Sequence, residues 1–85
     1  MITENGIKSL GFERSELDEP FNGKPEYYYS YDIVNGLSLI TNTNVDANKE
    51  GWQVEIFNVE PGIEFTDFIE VQTFINNIES KIVKK

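Results

Sequence analysis

The 85-residue sequence predicts an α+β domain: a short N-terminal helix, a three- to four-stranded antiparallel meander, and a long C-terminal amphipathic helix packed on one sheet face. Three observations predict it. Residues 27–41 and 52–59 alternate apolar and polar side chains, the two-residue period of a strand. Asn35-Gly36 stands inside the first of these runs, a strong hairpin signal. From Phe68 onward apolar residues recur at steps of three and four, one face of a helix. Strands in succession with helices before and after them favour an antiparallel sheet with helices on one face. A chain of this length is expected to form one domain, residues 1–85.

Taken in order, Thr3 has the chemistry of an N-cap, and Ile2 and Ile7 have the spacing of a hydrophobic staple. Ile7 and Leu10 share a face and Gly11 suits a C′ residue, so a helix is expected from Glu4 to Leu10 with Phe12 closing over its end. Residues 13–25 are polar with two prolines and a glycine, which reads as a loop pinned by Phe21. In the next run Tyr27, Tyr29, Tyr31 and Ile33 share one face and Tyr28, Ser30, Asp32 and Val34 the other. A two-residue Asn-Gly loop would set Val34 opposite Leu37. A three-residue loop with Gly36 left-handed sets Ile33 opposite Leu37, Tyr31 opposite Leu39 and Tyr29 opposite Thr41. The second gathers the apolar residues on one face and is preferred, because burial fixes register.

Thr41 to Gly51 reads as a polar hairpin loop. In the following strand Trp52, Val54 and Ile56 face the core, with Trp52 expected against the long helix near Phe74 or Ile78. Pro61-Gly62 marks a turn, and Ile63 to Phe65 is a short fourth strand. Asp67 caps the last helix with Glu70 at the capping-box position. Phe68, Val71, Phe74, Ile75, Ile78 and Ile82 form its apolar stripe, and Lys81, Lys84 and Lys85 close its negative end.

Fifteen acidic residues stand against seven basic ones, giving a formal charge of −8 and a pI near 4.3. Such a surface repels nucleic-acid phosphates and anionic lipid and favours basic partners. The chain has no cysteine and no histidine. Disulfides, thiolate metal sites and the commonest acid/base and zinc ligand are thereby excluded. The N-terminal residues have neither the basic region nor the apolar run of a signal peptide, and no segment reaches the length of a membrane span. A reducing cytoplasm suits this composition.

The sequence offers four candidate sites. The tyrosines could stack nucleobases, but their charged neighbours are Glu26, Asp32 and Glu55, and three of the four are assigned to the core. Asp46, Asn48, Glu50 and Gly51 imitate the start of a calcium loop, yet the twelfth position is Phe57 rather than glutamate. No metal or cofactor is therefore expected. Glu16, Asp18 and Glu19 crowd a loop, and Asp32 and Glu55 lie on the open sheet face. General acid/base work needs a carboxyl desolvated in a pocket, so no catalytic residue and no enzymatic activity are expected. The open face itself carries Tyr28, Ile40 and Phe57 among Ser30, Asp32, Ser38, Asn42, Gln53 and Glu55. An apolar patch with a polar rim marks an interaction surface. Tyr28, Asp32, Ile40, Glu55 and Phe57 are the expected partner-binding residues.

A capped helix ending in Leu10-Gly11-Phe12, the Tyr27-Tyr28-Tyr29 strand, the Asn35-Gly36 hairpin, the Trp52-to-Phe57 strand and a terminal amphipathic helix follow one another. In this order the chain resembles the small uncharacterised α-β-β-β-α proteins of bacterial and phage genomes, a group with no known activity to carry over. The resemblance implies a phage or mobile-element accessory protein in a bacterial cytoplasm. By analogy with anti-CRISPR and other anti-defence proteins, it implies an inhibitor that occupies a basic, nucleic-acid-binding surface of its target. A protein partner is therefore expected, with a homodimer built on the open face as the alternative.

Overall fold

The computed structural model describes residues 1–19 and 23–83. Its elements are α1 (Glu4–Ser9), β1 (Glu13–Glu16), β2 (Tyr27–Val34), β3 (Leu37–Thr41), α2 (Asn44–Glu50), β4 (Val54–Ile56), β5 (Glu64–Phe65) and α3 (Phe68–Glu79). The five strands form one antiparallel sheet in chain order, and α3 packs on one side of it. The class is α+β, as the alternation and the helical stripe require. No helix among the described residues is long and apolar enough to cross a membrane.

At the N-terminus, Thr3 Oγ1 accepts from the Gly6 amide at 3.0 Å, which starts α1. Ile2 and Ile7 are both buried and join the core. A side chain at Gly6 would meet the Phe68 ring at 3.0 Å, so α1 and the first turn of α3 meet where α1 has no Cβ. The core lies between these helices and the inner sheet face: Tyr29, Ile33, Leu39 and Val54 against Ile7, Phe12, Val71 and Ile75. Phe65 and Phe74 meet at 5.2 Å between ring centres, tying β5 to α3.

The sheet has five strands where three or four were expected. Residues Glu13–Glu16 pair with β2, where a loop was expected over residues 13–25. Glu-Arg-Ser-Glu carries no apolar side chain, so no hydrophobic period announces it. As an edge strand it needs only one neighbour, and its charges blunt the free edge. Arg14 turns to the helix side and lays its guanidinium over the Tyr27 ring, 3.7 Å from the centroid. Phe21, expected to pin the following segment, lies outside the described residues, as do Lys84 and Lys85.

The β2–β3 hairpin combines both registers. Ser30 pairs with Ile40, Tyr31 with Leu39 and Asp32 with Ser38, the preferred pairing. At the tip Val34 pairs with Leu37, with Gly36 at φ 91°. Ile33 is the extra residue between the two. Burial of the inner face fixes the body of the ladder, the Asn-Gly turn fixes the tip, and a bulge absorbs the difference.

Thr41 to Gly51 is not a bare loop, for it holds α2. Thr43 Oγ1 accepts from the Asp46 amide at 3.3 Å, and Gly51 ends the helix at φ 86°. Thr43, three residues before Asp46, was the signal, and Gly51 was its stop. The Asp46, Asn48, Glu50 pattern therefore sits on a helix, where alternate residues point to opposite sides rather than at one ion.

Trp52 is half-buried and packs edge-on to Tyr29 at 5.7 Å and beside Tyr27 at 6.4 Å, ahead of β4. Its ring neighbours are these tyrosines rather than Phe74, while Ile78 packs on the same core. The last helix ends at Glu79, so Lys81 lies beyond its C-cap Ser80. Asp67 takes the N-cap position but its side chain makes no cap hydrogen bond. The buried residues of α3, Val71 and Ile75, and the partly buried Phe68, Phe74 and Ile78 lie on the expected stripe.

Candidate partner-binding site

The strand ladders decide which side chains share the outer face, because residues directly opposite one another point the same way. One row crosses all five strands: Glu13 pairs with Ser30, Ser30 with Ile40, Ile40 with Glu55 and Glu55 with Glu64. One step along the strands, Asp32 pairs with Ser38, and the Phe57 amide donates to the Ser38 carbonyl at 2.9 Å. One step the other way, Ser15 pairs with Tyr28.

Tyr28 on β2, Ile40 on β3 and Phe57 just past β4 thus form a diagonal across three adjacent strands. Strand spacings of about 4.8 Å and a rise of about 3.4 Å per residue make this diagonal about 16 Å long. A depression of about 190 Å³ follows it, lined by Tyr28, Ser30, Asp32, Ser38, Ile40 and Phe57. Phe57 is 57% exposed, so its ring is offered to solvent. Asp32 holds the rim, accepting from Ser38 Oγ at 2.6 Å.

Carboxylates flank the diagonal on both sides. Glu13 and Asp32 stand on one, Glu55 and Glu64 on the other. Glu55 and Glu64 are directly opposed across β4 and β5 and share a polar notch of about 80 Å³ with Asn42 and Gln53. No lysine or arginine occupies an outward position of the five strands; Arg14 faces the other way. The structure thus brings Tyr28, Asp32, Ile40 and Phe57 around one depression and sets Glu55 beside it. Glu64 was legible from its alternation with Ile63 and Phe65. Glu13 carried no signal, since its strand has no apolar pattern.

The tyrosine run divides by face. Tyr27, Tyr29 and Tyr31 point to the helices and Tyr28 away from them. Their hydroxyls each find a helical carboxylate. Tyr27 and Tyr29 donate to Glu4 Oε2 at 2.9 and 2.7 Å, and Tyr31 donates to Glu79 Oε2 at 2.8 Å. Burial, with the Glu4 hydrogen bond, pushes the Tyr29 phenol up to about 12 and raises Tyr27 as well. Tyr31 is raised first by its hydrogen bond to Glu79. Burial pushes the Glu4 carboxyl up, but the two phenol hydrogen bonds, Lys8 and Arg14 together outweigh it and hold it below its ordinary value. These carboxylates fasten α1 and α3 to the sheet. They are structural, and nothing in the sequence marked them.

The carboxylates that hydrolysis would need do not gather in a pocket. Glu16 pairs with Arg14 at 3.1 Å, and Asp18 and Glu19 are exposed beyond β1. Asp32 and Glu55 are exposed on the outer face. A separate hollow of about 500 Å³, lined by Ile2, Glu4, Glu50, Trp52 and Thr66 among others, meets that face only at Gln53. Among the described residues no group of three or more potential ligands could hold a metal ion. Comparison with protein-family models, with curated proteins and with solved structures finds no match to this chain.

Proposed function

We propose that the chain is a non-enzymatic, acidic protein-binding module that occupies a basic surface of a protein partner through its open sheet face. The observation that supports this reading is the single sign of that face: four carboxylates around a half-buried apolar diagonal that ends on exposed Phe57, and no cation among them. Apolar contact supplies affinity at such a surface, and the charge ring selects the partner and speeds its approach. The same ring repels phosphate and anionic lipid, so a protein rather than nucleic acid or membrane is the partner. In the phage or mobile-element setting that the resemblance implies, the target is a nucleic-acid-binding protein of the bacterial host, and the module is an anti-defence inhibitor.

Self-assembly through this face is the alternative. A two-fold pairing puts the same patch on both copies, which sets these carboxylates against their own duplicates. The charge pattern therefore favours the basic partner. Affinity capture from a bacterial lysate, with wild type and with an Asp32→Lys/Glu55→Lys variant, tests the reading once the retained protein is purified and its binding reconstituted. The expected partner is basic, is lost by the variant, and binds more weakly as salt rises from about 50 to about 500 mM. A complex indifferent to both salt and charge reversal overturns it.

A further inference from the structure

The shape of the charged face narrows the class of partner. Three occupants are available to an open sheet face: a second copy, an extended segment, or a helix. A second copy meets the like-charge opposition described above. An extended segment gains its affinity from backbone pairing at a sheet edge. The edges here are poor templates, because β1 carries Glu13, Arg14 and Glu16 and β5 is two residues long.

The apolar diagonal also runs oblique to the strands. Carboxylates lie beside it on both flanks, Glu13 and Asp32 against Glu55 and Glu64. A strand laid on the face projects its side chains alternately down and up. It cannot hold apolar residues to the floor and cations to both sides at once. A helix does so by construction, with one apolar ridge and polar positions leaning out on either side of it. At about 1.5 Å per residue, the diagonal of about 16 Å matches about eleven residues, the span of a ridge at i, i+4, i+7 and i+11. Ile40, midway along it, would meet the central turns of that ridge.

Resting on the proposed reading of the open face, we propose that its occupant is a cationic amphipathic α-helix laid along Tyr28, Ile40 and Phe57, with lysine or arginine on both flanks.

Three synthetic peptides test this against the isotope-labelled protein by amide NMR and circular dichroism. One has leucine at i, i+4, i+7 and i+11 with lysines and arginines between. The second is its isomer with leucine at every second position. The third is the first with its cations replaced by glutamate. The helical basic peptide is expected to shift the amides of Tyr28, Ile40 and Phe57 and to gain helicity on binding. Phe57→Ala is expected to weaken it by at least about tenfold, the loss of an aromatic anchor. Equal binding of the alternating isomer at that face overturns the helix and leaves the basic-partner reading standing. If neither basic peptide shifts those amides at low salt, or the acidic one binds as well, the reading of the face itself falls. A doubled mass in light scattering that Phe57→Ala abolishes overturns both, since a second copy then covers the face.

Discussion

Replacing Glu4 with alanine is expected to loosen α1 from the sheet. The carboxylate accepts two phenol hydrogen bonds at one oxygen, from Tyr29 at 2.7 Å and Tyr27 at 2.9 Å. Tyr29 is 1% exposed, so its hydroxyl depends on this acceptor and, once it is gone, on such water as enters the space left beside the hollow. A buried donor left unsatisfied costs about 1 to 3 kcal/mol. Tyr27 is partly exposed and regains some solvation, which adds about 1 kcal/mol at most. The sum for Glu4→Ala is about 1 to 4 kcal/mol. At about 4 to 8 °C per kcal/mol in a domain of this size, Tm falls by roughly 4 to 32 °C. Glu4→Gln keeps an acceptor and loses the charge, so about 1 to 2 kcal/mol is expected.

The pH dependence separates the charge from the shape. The Glu4 carboxyl is held below its ordinary value, by hydrogen bonds and neighbouring cations that outweigh the upward push of burial. A depressed folded value means that the stabilisation is complete above the unfolded carboxyl value, about 4.3, and is lost as pH falls through the folded value. Wild type is therefore expected to exceed Glu4→Gln in stability at neutral pH and to converge with it on acidification. Urea unfolding at a series of pH values reads this directly. The reasoning is refuted if Glu4→Ala melts within about 2 °C of wild type, or if the gap to glutamine does not close in acid.

Four further outcomes are expected. Thr43→Ala removes the acceptor that starts α2 and should cost about 1 kcal/mol, with faster amide exchange over residues 44–50 as the local sign. The Tyr29 phenol, pushed up to about 12, contributes stability that is present below the unfolded value of about 10 and lost as pH rises through its folded value; tyrosinate absorbance should show it ionising late. Phe57→Glu should leave Tm nearly unchanged, since the ring is 57% exposed, while abolishing partner binding; an unfolded product would place Phe57 in the core. Glu64→Lys turns an opposed like pair into an opposite one and should raise the stability of the free domain by about 0.5 kcal/mol while weakening binding of a basic partner, measured by melting and by titration calorimetry.

What was legible followed the hydrophobic period. Tyr29, Leu39 and Val54 alternate with polar residues and are buried; Val71 and Ile75 recur at helical steps and are buried against them. The elements that escaped notice have no apolar period to show. β1 is held by backbone pairing and by Arg14 lying on Tyr27, and α2 by a threonine cap and a glycine stop. Trp52 was assigned to the right face, but its ring meets Tyr27 and Tyr29 rather than Phe74. Alternation tells which side of a sheet a residue occupies, and only the packed helices tell what stands over it. The same limit applies to Glu4 and Glu79, whose partners lie 25 and 48 residues away in sequence.

The outer face was legible for a different reason. Alternation that buries one set of side chains exposes the other, so the tyrosine run specifies both faces at once, and Tyr28 is the member left outside. What the sequence could not display is the sign of the face as a whole, because Glu13 and Glu64 join it from strands at opposite edges. Their arrival makes the face costly to the free domain. Glu55 and Glu64 stand directly opposed, a pairing that destabilises a sheet by about 0.2 to 1 kcal/mol. Arg14, the one cation on the described strands, does nothing to relieve it, since it is turned to the other side. A small domain has little margin to lose, and rules of local consistency break where function competes with stability. A carboxylate pair left unneutralised beside an exposed phenylalanine is better satisfied by an approaching cation than by anything within the fold. On the proposed reading, the strain in the free state and the affinity for a basic partner have one physical origin.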